Sequence, residues 1–154
     1  MRTGTTNNGR SFTINGVADA DAEWESVPAK PYGALVIAGG AERPDKLLFG
    51  KIANRLIESG CGWATLHAGK HTGKLHDIFD KAVVDYQLKH NPDLDMMTSG
   101  EDENSLEESI RDAVCYGFPQ YGDQYEGLLV LVVGALDSKL EEQAEALAKS
   151  VKPE

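Results

Sequence analysis

The sequence predicts an α/β fold in three layers, with helices on both faces of a mainly parallel sheet of four to five strands. Three observations carry this expectation. Two runs, Ala34-Leu35-Val36-Ile37-Ala38 and Leu128 to Val133, have the unbroken hydrophobicity of strands buried on both faces. Shorter strand-like runs alternate with amphipathic stretches of helix length, and such crossovers call for parallel pairing. The chain has 154 residues, 41% of them hydrophobic, enough for one core without a metal or disulfide. Together these describe a Rossmann-like or flavodoxin-like sheet with right-handed crossovers.

Residues 1–11, rich in Thr, Asn, Gly and Arg without periodicity, read as a flexible tail ahead of a single domain spanning 12–154. Phe12-Thr13-Ile14 predicts a short strand shielding an outer edge. An acidic stretch around Trp24, then Pro28 and Pro31, delivers the chain to the strand 34–38, closed by Gly39-Gly40. Pro44 and Asp45 open a helix whose Leu47, Leu48, Ile52, Leu56 and Ile57 recur at helical spacing until Ser59-Gly60. Trp63 to His67 is the next strand. The helix after it, from Lys74 to His90, carries the stripe Leu75, Ile78, Phe79, Ala82, Val83 and Tyr86, and Asn91-Pro92 ends it. Met96-Met97-Thr98 predicts a further short strand. Ser105 with Glu108, and Ser138 with Glu141, match capping boxes for two last helices. Leu106, Ile110, Ala113 and Val114 face inward on the first of these, and Leu140, Ala144, Leu147 and Val151 on the second. The two most apolar strands are expected at the centre of the sheet.

A net charge of −10 argues against nonspecific nucleic-acid binding, because the phosphate backbone is itself anionic. From Asp93 to Asp112 eight acids are opposed by Arg111 alone. Such a run is either a solvated face or a surface that recruits a basic partner. Beside it Tyr116, Phe118, Pro119, Tyr121 and Tyr125 fill a turn-rich loop, as a lid over the core or as exposed contact residues. The first functional reading follows: a non-catalytic, acidic partner-binding protein of inhibitor, immunity or regulatory-subunit type. Its contact face would be Asp102, Glu103, Glu107, Glu108, Tyr121 and Tyr125. Two isolated thiols, Cys61 and Cys115, point to a reducing compartment. The opening MRTGTTNNGR lacks the apolar core of a signal peptide, and no run approaches the roughly 20 apolar residues of a membrane span. A cytoplasmic protein without a membrane partner is expected.

The alternative reading centres on the run from Gly62 to Asp77, a strand, a glycine-punctuated loop and a helix start holding three of the four histidines. Loops leaving the carboxyl ends of parallel strands are where ligands bind. Ala68 to Leu75 nearly repeats the phosphate-binding pattern G-x-x-x-x-G-K-[ST], but Ala68 replaces its first glycine and Leu75 its hydroxyl. That removes the magnesium contact of a nucleotide triphosphatase and leaves a weaker anion site. In this reading the chain binds a nucleotide or phosphometabolite, as a hydrolase or transferase if it has activity. Gly39, Gly40, His67, Lys70, His71, Gly73 and Lys74 would bind the ligand, with His71 as the acid/base candidate. His67, His71, His76 and Asp77 have no spacing that fixes a metal tetrahedron, so neither metal nor cofactor is expected. Ser99 and Ser138 lack a nucleophile elbow, and no catalytic signature is complete.

Leu56-Ile57-Glu58-Ser59-Gly60-Cys61, the pair His76-Asp77, and Met97-Thr98 followed by Glu101-Asp102-Glu103 and Leu106-Glu107-Glu108 are similar to a family of small uncharacterised bacterial α/β proteins. The resemblance covers roughly residues 30–116. It implies a bacterial or phage origin and a compact domain, and it brings no established activity.

Overall fold

The computed structural model describes residues 1–39, 42–120, 122, 124–134 and 138–154. Six strands and four helices follow in the order β1 (Arg2–Thr5), β2 (Ser11–Val17), β3 (Tyr32–Ala38), α1 (Lys46–Ser59), β4 (Cys61–His67), α2 (Thr72–Lys89), β5 (Met97–Ser99), α3 (Leu106–Cys115), β6 (Gly127–Val133) and α4 (Ser138–Ser150). One sheet holds the strands in the order β1-β2-β6-β3-β4-β5. All neighbours are parallel except β1 and β2. The two most apolar strands, β3 and β6, are central, as their composition requires.

Period-two alternation sends the side chains of the central strands to two cores. Ala34, Val36, Leu129 and Leu131 pack with Ile52, Leu56, Leu75 and Phe79 of α1 and α2. Leu35, Ile37, Val130 and Val132 pack with Ile110, Val114, Ala144 and Ala148 of α3 and α4. The sheet is therefore covered by two helices on each face. Local chemistry sets the helix limits. The Asp45 carboxylate accepts from the Leu48 amide, and Gly60, at φ +93°, closes α1 by donating to the Leu56 and Ile57 carbonyls. Ser105 and Glu108 form the predicted capping box of α3. α4 begins at Ser138, and residues 135–137 before it lie outside the described ones, as do Gly40 and Tyr121.

Three expectations are corrected. Residues 1–11 are no tail: Arg2–Thr5 form β1, which turns through Gly9 and pairs antiparallel with β2, so the sheet has six strands rather than four or five. β2 consequently lies one strand inside the edge. The physical reason is that β1 is fastened by hydrogen bonds and by Arg2 ion pairs to Glu142 and Glu145 of α4, leaving no apolar period to read. Leu47, expected on the core face of α1, is 70% exposed, and Phe49 takes the inward position.

Candidate functional site

β3 and β6 are parallel neighbours whose chains part at their carboxyl ends, β3 leading to α1 on one face and β6 to α4 on the other. Such a divergence opens a crevice above the sheet. At this point the Gly39 amide donates to the Val133 carbonyl at 2.8 Å. Two clefts share Ala38 and Gly39. One, about 410 Å³, runs toward His67, Gly69, Lys70 and His71 after β4 and is closed by Leu106, Leu140 and Gln143. The other, about 470 Å³, runs along the start of α1 past Arg43, Asp45 and Phe49.

The loop after β4 is built to hold its crest up. Gly69, at φ +53°, turns the chain into a single 3-10 turn, Gly69–His71, that runs on into α2. Below it the buried Thr72 hydroxyl accepts from the Ala68 amide at 2.9 Å and donates to the Gly69 carbonyl at 2.8 Å. Lys70 and His71 stand above this brace. Neither has an ion pair or a side-chain hydrogen bond among the described residues. His67 is held differently: its Nδ1 lies 2.7 Å from the Oγ of Ser109, a residue of α3 only 2% exposed. That contact leaves Nε2 as the ring nitrogen for the cleft. Burial pushes the His67 pKa below its ordinary value of 6.5.

The unfolded chain therefore takes up this proton more readily than the native one, so the stability His67 confers is complete above about pH 6.5 and is lost as the pH falls through its folded pKa. In a histidine-resolved NMR titration, His67 is expected to be predominantly neutral at pH 6.5, where an unperturbed imidazole is half protonated. Half protonation of His67 at or above that pH would refute the burial argument.

The expected ligand set divides. Gly39, His67, Lys70 and His71 line one cleft. Gly73 does not join them, because its amide donates at 2.6 Å to Oδ1 of Asp102 from the loop after β5. The first turn of α2, where a phosphate was expected, is thus capped by the chain's own carboxylate. Lys74 belongs to a separate groove between α1 and α2. His76 also stands apart, its Nε2 bonded at 2.8 Å to the Thr98 hydroxyl, which in turn donates to Asp80 at 2.6 Å. Among the described residues no three His, Cys, Asp or Glu side chains gather as a metal site.

The acidic contact face is also divided. Asp102 and Glu103 follow the carboxyl end of β5, and Glu107 and Glu108 open α3 at that same end. Tyr125 precedes β6 and lies against Gly62 at the start of β4, at the opposite end of the sheet. The ten residues of α3 separate them, about 15 Å of helix. A different grouping does form: Glu108, Asp112 and Tyr116, at i, i+4 and i+8, line one cleft with Glu101 and Glu154 around Arg111. Partial burial, then the charges of Glu101 and Glu108, raise the Asp112 carboxyl pKa.

One central residue went unread in the sequence. Arg10 is fully buried, and its guanidinium donates to the carbonyls of Ala113 and Val114 at the end of α3 and of Tyr125 and Gly127 before and in β6. Its signal was Asn7-Asn8-Gly9, a turn sequence that brings the next residue back beneath the sheet.

Residues 18–150 match a domain of unknown function, DUF7684, over more than four-fifths of the chain. The chain belongs to the DUF7684 family. The match reaches well past residues 30–116, taking in the crevice, all four helices and the strands β3 to β6 of this DUF7684 chain. No curated protein and no solved structure matches it. Among the described residues of this DUF7684 member no helix is long and apolar enough to cross a membrane.

Proposed function

We propose that this protein binds a small anionic ligand, a nucleotide or other phosphorylated metabolite, in the cleft at the carboxyl ends of β3 and β4, using its sheet in the Rossmann-like or flavodoxin-like manner. One observation carries the reading: in a chain of net charge −10, the described lining of this cleft holds Lys70, His67 and His71 and no carboxylate. Placement supports it, since ligands of open parallel sheets bind where the chain parts between neighbouring strands, and this cleft reaches the parting of β3 and β6 at Ala38 and Gly39. Lys70 supplies the charge for an anionic group, Gly39 lets the ligand approach backbone, and neutral His67 offers Nε2 as an orienting group. If the ligand is turned over, His71 is the acid/base candidate. Titration with inorganic phosphate and a panel of nucleotides should first shift the amides of residue 39 and residues 67–71. Replacing Lys70 and His71 with Gln should weaken that binding about tenfold, the worth of one charge-assisted hydrogen bond. Shifts confined elsewhere, or none at millimolar ligand, would refute the reading.

A second reading, the acidic partner-binding protein of inhibitor, immunity or regulatory type, is favoured by the cleft that gathers Glu101, Glu108, Asp112 and Glu154 around Arg111. Like charges are crowded there beside Tyr116, which is 41% exposed. A basic partner would relieve that repulsion. Were one found, Glu108→Gln should slow its association and Tyr116→Ala should speed its release. Indifference to both changes would set this face aside.

A further inference from the structure

A groove of about 530 Å³ lies between α1 and α2, within the range of small-molecule sites. Its floor is apolar, with Pro44, Gly50, Ile78 and Ala82, and its rim carries Arg43, Lys46 and Lys74.

Two independent features need explaining. Gly50 lies in the interior of α1, where glycine is a much poorer helix former than alanine. A Cβ at Gly50 would meet nothing within 4 Å, so packing inside the protein does not require the missing side chain. What the glycine does is leave the groove floor open opposite Ile78 and Ala82. The second feature is charge. Arg43, Lys46 and Lys74 have no ion pair or side-chain hydrogen bond among the described residues, although the chain carries 25 acids against 15 lysines and arginines. Lys81, lower on the rim, is by contrast paired with Asp85 at 2.8 Å. Asp77 is the remaining acid of the lining. The cationic groups thus cluster near the start of both helices, and the apolar floor extends away from them.

We propose that the α1–α2 groove binds an amphipathic anion: a carboxylate or sulfonate head held by Arg43, Lys46 and Lys74, and an apolar body laid over Gly50 between the helices. This groove meets the crevice cleft at the start of α1, where Arg43 and Pro44 line both, but its floor lies between the helices and it does not depend on the function proposed above the sheet.

The test is a fluorescence titration of the full chain with anilinonaphthalene sulfonate, followed by competition with decanoate and with decanol. Saturable, one-to-one binding is expected, with a dissociation constant on the order of 10–100 µM for a ligand of this size. Decanoate should displace the dye and decanol should not. Gly50→Leu, which fills the floor with a better helix former, should abolish binding while the near-UV circular dichroism and Tm hold or rise. The double change Lys46→Gln, Lys74→Gln should weaken binding about tenfold or more. Full binding by Gly50→Leu, or equal displacement by decanol, would overturn the proposal. So would loss of binding on Lys70→Gln, which would assign the dye to the crevice. Failure to bind decanoate while a protein helix docks in the groove would overturn it in favour of a macromolecular partner.

Discussion

Replacing Arg10 with Met is expected to destabilise the protein by about 4 kcal/mol and to lower Tm by roughly 10 °C in a chain of this size. The side chain is fully buried, and no carboxylate among the described residues pairs with it. Burial lowers its pKa to about 10, so it remains protonated at neutral pH. Its charge is met by dipoles: Nη1 donates at 2.9 and 2.8 Å to the Ala113 and Val114 carbonyls, where the negative end of α3 gathers, and Nε donates at 2.7 Å to the Tyr125 carbonyl. Phe118 covers the guanidinium at 5.3 Å. Met matches the stem in volume but takes the donor from the Ala113 and Tyr125 carbonyls, each at about 1–3 kcal/mol, while the Val114 carbonyl keeps the Asn8 side-chain amide at 3.0 Å. Lys keeps the charge and loses the fork, so Arg10→Lys should recover only part of the loss. Chemical denaturation of the three proteins checks the order. Equal stability of Arg10→Met and the parent would mean that water reaches those carbonyls and that the arginine is dispensable.

The contrast between Arg10 and the core shows what the sequence could disclose. β3 and β6 were readable because burial on both faces demands a continuous apolar run, and α2 and α3 because an amphipathic stripe and a capping box are local patterns. β1 was not, because polar residues fastened by a ladder and by Arg2 ion pairs resemble a disordered segment in composition. The candidate site divides the same way. That the loop after β4 would stand at the carboxyl end of the sheet followed from parallel topology, and Gly39, His67, Lys70 and His71 do meet there. That Gly73 would be taken by Asp102, 29 residues away, could not be read from spacing, since nothing local ties the loop after β5 to the first turn of α2. Tyr125 was separated from the acids for a related reason: proximity in sequence across a helix becomes distance in space when each crossover carries the chain from one end of the sheet to the other.

Gly100→Ala is expected to be the most damaging single-methyl change near the crevice, costing about 3 kcal/mol. Gly100 follows β5 at φ +152°, a conformation that L side chains rarely adopt. A Cβ there would also fall 2.6 Å from the Leu66 carbonyl oxygen and 3.0 Å from Cγ2 of Thr72. The first obstacle is the backbone of β4, which cannot turn aside as a side chain can, so the loop after β5 must move away from the sheet. That loop carries Asp102, whose carboxylate caps α2 at Gly73, and the Glu103 amide, which donates to the Gly69 carbonyl at 3.4 Å. The change should therefore raise hydrogen exchange at the Gly73 amide as well as lower Tm, and loosen the Lys70-His71 crest from beneath. Gly69→Ala is the comparison: its φ of +53° imposes a strain of about 1 kcal/mol, but a Cβ there meets nothing within 4 Å. If both variants lost the same stability, the cost would lie in backbone conformation alone. The packing of the loop after β5 against β4, and its bracing of the crest, would then be disproved.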